Sequence, residues 1–216
     1  MKYTVHKVFK SAVKRTPRVL EVAEAFGIGL NDKEFVVYDN LEIEVNQGDV
    51  VYITGESGSG KSLLLRELAK LMREEGKAVV DVDSIISTED PLIEQVGHDM
   101  TSANHILSKA GINDAYLVIR DYSQLSDGQK YRFALAKLIE SSAEVWVADE
   151  FGAKLDRVTA KAVAFNMQKA AREKGATLIV ATTHTDMIEE LGPDLLVEKL
   201  YMDRIEITNN KRAENQ

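Results

Sequence analysis

Residues 55–62 have the types and spacing to hold a phosphate: Gly55, Glu56, Ser57, Gly58, Ser59, Gly60, Lys61 and Ser62 match G-x-x-x-x-G-K-[ST] in full. The glycines let backbone N–H groups curl round phosphate oxygens where a side chain would block approach. Lys61 is expected to reach the β- and γ-phosphates, and the Ser62 hydroxyl to ligate Mg²⁺. A second chemical group lies in Val145-Trp-Val-Ala-Asp-Glu150, an apolar run ending in two carboxylates. Asp149 at the end of such a strand can hold Mg²⁺ through water, and Glu150 can act as general base toward an attacking water. Read alone, the glycine-rich stretch could be a turn joining a strand to a helix, and the acidic pair an ordinary strand end. Together, at this order along the chain, they point to nucleotide chemistry.

The elements that must carry these groups are legible around them. Val50–Thr54 (VVYIT) is a near-continuous apolar run, the pattern of a buried strand. An amphipathic segment from about Gly60 to Glu75 follows, closed by Gly76. Phe35–Val45 reads as a strand with one wet face, and Ala78–Val82 as another buried strand. Residues 84–125 change texture to short helical pieces broken by Pro91, Gly97 and Gly111, and are expected to form a small helical insertion within one domain spanning 1–216. Helix is expected over Ser126–Ile139 and Asp156–Lys174, and strand over Glu144–Ala148, Thr177–Ala181, Leu195–Val197 and Arg204–Ile207. Strands alternating with helices make an α/β fold around a mainly parallel sheet.

Leu125-Ser-Asp-Gly-Gln129 opens the helix that continues KYRFALAKLI, and it resembles the L-S-G-G-Q signature of ATP-binding cassette (ABC) ATPases, with Asp127 departing from the usual glycine. By itself, S-D-G-Q could equally be an N-cap and turn. Other motifs of that family follow in order. Gly152-Ala-Lys-Leu-Asp156 is similar to the D-loop, with Lys154 in place of a small residue, and Asp156 is also a natural N-cap. His184, after Leu178-Ile-Val-Ala-Thr-Thr, stands where the family has its switch histidine. Phe26 stands where the family carries an aromatic that stacks on adenine, although core packing explains it as well. Gln95 is the candidate for the Q-loop glutamine, but it comes late after its strand, and a surface glutamine is the alternative.

The resemblance implies a P-loop NTPase with a RecA-like α/β core, an antiparallel β portion and a short helical subdomain. It implies MgATP as ligand, with Ser62 and Asp149 at the metal and Lys61, Glu150 and His184 at the reacting phosphate. It also implies a head-to-tail homodimer, in which Ser126, Gly128 and Gln129 of one chain meet the nucleotide held by the other. The stretch 125–186 further resembles soluble archaeal and phage ABC ATPases associated with a predicted acetyltransferase domain.

Composition limits what hydrolysis can serve. The chain has 216 residues, no cysteine and a formal net charge of −8, so disulfides, thiolate chemistry and cysteine-held metals are excluded. The remaining histidines, His6, His98 and His105, show no metal-ligand spacing. No apolar run is long enough to span a bilayer, and no secretory signal is recognisable, so a cytoplasmic location is expected. Lys2, Lys7, Lys10, Lys14, Arg15 and Arg18 all precede the first acidic residue. They read either as a solvated strand or arm, or as a docking arm for nucleic acid or an acidic partner. Because residues 63–124 leave room for only a short insertion, the expectation is a soluble, non-transport ATPase with a soluble partner. The subunit of a membrane permease comes second. An SMC-like repair ATPase, which needs long coiled-coil arms, is third, and a slow nucleotide sensor is the non-enzymatic alternative.

Overall fold

The structure is a computed structural model and describes residues 1–31, 33–200 and 204–210. By their contacts the residues fall into two units: residues 2–43, and Met1 with the chain from Glu44 onward. In the smaller unit β1 (Lys2–Ser11) and β2 (Lys33–Glu44) pair as a two-stranded sheet, with helix α1 (Pro17–Phe26) between them in sequence. The helix carries a full set of end signals. Thr16 accepts a hydrogen bond from the Val19 amide, Pro17 supplies a pre-set φ at the first position, and Gly27 closes the helix at φ 65°. On β1 the inward residues Tyr3 and Val5 are buried while Lys2 and Lys10 face solvent, Lys10 against Glu34 at 2.8 Å. Lys14, Arg15 and Arg18 are also exposed.

The larger unit is built on a six-stranded sheet. Its strands are β3 (Val50–Gly55), β4 (Val79–Asp81), β5 (Val145–Ala148), β6 (Thr177–Ala181), β7 (Leu195–Lys199) and β8 (Ile205–Asn209). They lie in the order β4-β5-β6-β3-β7-β8, parallel throughout except that β8 runs antiparallel to β7. Every residue of β5 and β6 is buried, as are Val50 to Thr54 of β3, which is why these strands read as unbroken apolar runs. The expected strand Ala78–Val82 is shorter and wetter than its sequence suggests. It is β4, three half-buried residues, because it ends the sheet and has β5 as its sheet neighbour.

Helix α2 (Lys61–Glu74) covers one face of the sheet, turning Leu64, Leu65, Leu68, Ala69 and Met72 inward at helical spacing and packing on β3, β4, β5 and β6. Helices α5 (Asp127–Glu140) and α6 (Arg157–Lys174) share the other core with Val50, Tyr52, Trp146, Ala148, Leu178 and Val180, the alternate residues of three neighbouring strands. Each fully buried large apolar side chain there contributes roughly 1.5–3 kcal/mol. Between β4 and α5 the chain makes three single turns of 3₁₀ helix (Val82–Ser84, Leu92–Glu94, Tyr122–Gln124) and two helices, α3 (Met100–Lys109) and α4 (Ala115–Val118). Leu92, Val96, Leu107, Ile112 and Leu117 from this stretch join the same core as α5 and α6. A short helix α7 (Ile188–Leu191) precedes β7. At the amino end of the sheet Asp194, almost buried, accepts from the Val50 amide at 2.8 Å and pairs with Arg172 at 3.0 Å, fixing where β3 begins.

Candidate nucleotide site

Because β3, β5 and β6 are parallel neighbours, their carboxyl ends share one edge of the sheet. The phosphate loop leaves β3 there, the acidic pair follows β5, and Thr182–His184 follows β6. Open α/β sheets bind ligands at this edge.

The loop's backbone is set by glycine where nothing else fits. A Cβ on Gly55 would lie 2.0 Å from the Lys199 carbonyl oxygen, so the loop can leave the strand only from glycine. Gly60 sits at the N-cap of α2 with φ 104° and makes no side-chain cap bond, and a helix N-terminus favours an anion. Lys61 is 7% exposed, and its ammonium folds back to donate to the Glu56 carbonyl. Burial holds the Lys61 pKa below the usual lysine value, and the negative charge of Asp149 opposes that shift. Ser59 Oγ is buried with no hydrogen-bond partner, an orphan polar atom inside a loop whose backbone is shaped for an anion.

Ser62 Oγ donates to Asp149 Oδ1 at 2.8 Å, and Arg66 lies on the other carboxylate oxygen at 3.3 Å. A hydroxyl beside a carboxylate that is 11% exposed is a pair of hard oxygen donors, the kind Mg²⁺ prefers. Among the described residues no group of three or more His, Cys, Asp or Glu could hold a metal on protein ligands alone. Phosphate oxygens and water therefore fit as the remaining ligands. Glu150 is exposed and has φ 48°, a left-handed conformation that a non-glycine residue rarely takes.

His184 is anchored by its backbone. Its carbonyl accepts from the Tyr52 hydroxyl and, at 3.2 Å, from Thr54 Oγ1, both on β3, and its amide donates to Thr182 Oγ1. Burial and then the positive charge of Arg157 lower its pKa, so the imidazole is neutral at pH 7. Arg157 forks onto Asp186, two residues beyond the histidine, tying the start of α6 to this segment. Neither the Arg157–Asp186 pair nor the two β3 hydroxyls stand out in sequence, because each partner comes from a distant segment.

The Leu125–Gln129 motif begins α5 as a closed capping box. Ser126 Oγ accepts from the Gln129 amide at 3.4 Å, and the Gln129 side chain accepts from the Ser126 amide at 2.9 Å. Asp127 is exposed in the first turn, and Gly128 lies so close to the segment after the acidic pair that a Cβ would be 2.9 Å from the Lys154 oxygen. Asp156 caps α6 by accepting from Thr159, which also lowers its pKa.

Two further sequence candidates have surroundings of their own. Phe26 ends α1 in the smaller unit and is 76% exposed, so it is not a core residue. Gln95 is engaged in its own loop: its amide donates to the carbonyls of Asp90 (2.6 Å) and Thr88 (3.2 Å) and its oxygen accepts from the Thr88 amide (2.9 Å). It closes residues 88–95 on themselves, which is the work of a structural glutamine.

Comparison with known proteins agrees with this geometry. Residues 38–153 match the ABC transporter family. The chain is 28% identical over 199 residues to the cytochrome c biogenesis ATP-binding export protein CcmA of Agrobacterium fabrum, covering 79% of this chain and 92% of that protein. It is 28% identical over 207 residues to the methionine import ATP-binding protein MetN 1 of Listeria monocytogenes, covering 79% of this chain and 60% of that one. The fold is that of the ATP-binding cassette MJ0796, solved as a dimer in a post-hydrolysis state with ADP and Pi (TM-score 0.66, 18% identity, 99% and 100% of the two chains). It is also that of cbiO1 from Clostridium perfringens, part of the transporter complex cbiONQ (TM-score 0.61, 20% identity, 82% of each chain). The two sequence relatives are named as export and import ATP-binding proteins, which overturns the order expected from the short insertion and puts the transporter reading ahead of the soluble one. The protein belongs to the ABC transporter family and is an ABC-type, ATP-binding ATPase.

Proposed function

We propose that this chain is the nucleotide-binding subunit of an ABC transporter, binding MgATP and hydrolysing it as a head-to-tail homodimer beside a membrane permease. The observation that carries the reading is the single sheet edge where Lys61, the Ser62–Asp149 pair, Glu150 and His184 emerge from three adjacent parallel strands. Ser62 and Asp149 would hold Mg²⁺, which when bound supplies charge neutralisation for the β- and γ-phosphates. Residues 55–62 wrap the phosphates with backbone donors, and Lys61 swings from the Glu56 carbonyl to the terminal phosphate. Glu150 takes the proton of the attacking water, and the neutral His184 orients that water or the γ-phosphate. Ser126, Gly128 and Gln129 of the second copy close over the nucleotide.

A partner surface supports the transport reading. Ile93, Met100, Ile112, Val118 and Ile119 line a concavity of about 700 Å³ in the 82–125 stretch, and Met100 and Ile119 are 72% and 63% exposed. Exposed apolar side chains round a hollow fit a short apolar segment of a permease's loop. Among the described residues no helix is long and apolar enough to cross a membrane.

The test uses tagged Glu150→Gln protein, for which we expect retained ATP binding, turnover reduced by about 10²-fold or more, and persistent ATP-dependent dimers. Captured in MgATP from detergent-solubilised membranes of its host, it should bring down a polytopic membrane protein. Recovery of a soluble partner or nucleic acid alone would return the non-transport reading to first place, and normal turnover would remove Glu150 as the base.

A further inference from the structure

Glu150 occupies a strained turn, and the strain needs a holder. Its φ of 48° is followed by Gly152 at φ 73°, so two of three consecutive residues are left-handed. A left-handed conformation strains a non-glycine residue such as Glu150 and persists only where its surroundings over-determine it. Four bonds donated by backbone amides shape the turn from within the sheet and loop. Glu150 N–H donates to Asp149 Oδ1 (3.0 Å), Phe151 N–H to Ala181 O (2.9 Å), Ala153 N–H to Glu150 O (2.9 Å) and Leu155 N–H to Gly152 O (3.1 Å).

The fifth bond comes from elsewhere. The Gly152 N–H donates to the hydroxyl of Tyr131 at 3.4 Å, and Tyr131 stands on α5, two residues past Gln129. Its ring meets Phe151 edge-on at 6.4 Å, and Lys154 Nζ lies 5.9 Å from the centre of the same ring. Tyr131 and Phe151 are 6% and 0% exposed, and Gly152 is buried. One residue of the signature helix therefore touches the amide, the ring and the cation that follow Glu150. Gly128 also packs close to this segment, since a Cβ there would lie 2.9 Å from the Lys154 carbonyl oxygen.

We infer that Tyr131 is a positioning residue for hydrolysis, bracing the left-handed turn that aims Glu150 and making the signature helix and the general-base loop of one chain a single body. The inference rests on the reading of Glu150 as the base. Its consequence is directional. When the signature of one chain is pulled onto the nucleotide of the other, the base loop in its own chain is displaced with it, so closure at one site is felt at the second.

The test is Tyr131→Phe in the full chain, which keeps the ring and removes the hydroxyl. Expected are a fall in kcat of about three- to ten-fold, unchanged affinity for a non-hydrolysable ATP analogue, and faster hydrogen exchange at amides 150–153 but not at 61–65. An unchanged kcat, or a loss that follows nucleotide affinity, overturns the brace. Phe151→Leu keeps the hydroxyl bond and removes the ring contact. It should show the same pattern, which guards against a Tyr131 variant that fails to fold. Normal turnover by Glu150→Gln would instead remove the reading beneath the inference, while a slow Glu150→Gln with an unaffected Tyr131→Phe removes the brace alone.

Discussion

Helix α2 begins at Gly60 with no side-chain cap and no acidic residue in its first turn, whereas α5 begins at Ser126 with a complete capping box and a carboxylate at Asp127. Both starts belong to motifs expected to meet phosphate, and both point a positive dipole end outward. The first has no side-chain cap and keeps a buried lysine beside its start. The second has already satisfied itself, with Ser126 and Gln129 bonded to each other's amides and Asp127 supplying its own negative charge. The difference is one of timing. On the proposed function, the α2 end would take phosphate as it stands, and the α5 end would take it only by giving up contacts it already has, which would make engagement conditional on a second chain and its nucleotide.

The largest effect should come from the open end. Lys61→Ala removes the one cation held inside the loop region, and ATP affinity is expected to fall by about 10²-fold or more, measured by titration with a fluorescent ATP analogue. Retained affinity would mean that the dipole and amides of α2 suffice alone, and the contrast with α5 would lose its meaning. A smaller effect of opposite sign is expected at the closed end. Asp127→Gly removes a like charge facing the partner's nucleotide, and ATP-dependent dimerisation in the Glu150→Gln background should tighten by about two- to five-fold, consistent with ~0.3–1 kcal/mol for a charge at a helix terminus. Sedimentation velocity reads it directly. Weaker dimers would show that Asp127 helps the interface instead of tuning it down.

What the sequence discloses follows the same division between local and distant partners. The phosphate loop, the acidic strand end and the Ser126 cap are each written in consecutive residues, and the strands β3, β5 and β6 are apolar enough to be read directly. Helix α1 is equally local, with Thr16, Pro17 and Gly27 marking its ends, although no helix is expected there from the sequence and the basic residues read only as a solvated strand or arm, or a docking arm. Other features were out of reach. That β4 is a half-buried edge strand depends on which strands pair, and sequence order does not give that. Tyr131 looks like any helical aromatic until the turn at Glu150 is seen against it. Gln95 is a Q-loop candidate only through the family resemblance, with a surface glutamine as the alternative, and its three bonds to Thr88 and Asp90 are what assign it to the loop.

The smallest effect tests whether the closed end of α5 is closed for stability or for function. Ser126→Ala removes the side chain that caps the helix, and loss of an N-cap costs about 1 kcal/mol. For a chain of this size that corresponds to a fall in Tm of roughly 2–4 °C, measured by calorimetry without nucleotide. The Ser126 hydroxyl is also a proposed ligand of the partner's phosphate, so two outcomes separate. If the cap serves stability alone, Tm falls while ATP-dependent dimerisation in the Glu150→Gln background stays as it was. If the hydroxyl has to leave its cap to reach phosphate, dimerisation weakens as well, and the variant loses more in the ATP-bound dimer than in the free chain. The second pattern is the one expected, since an exchange of partners at Ser126 is what makes the α5 end conditional.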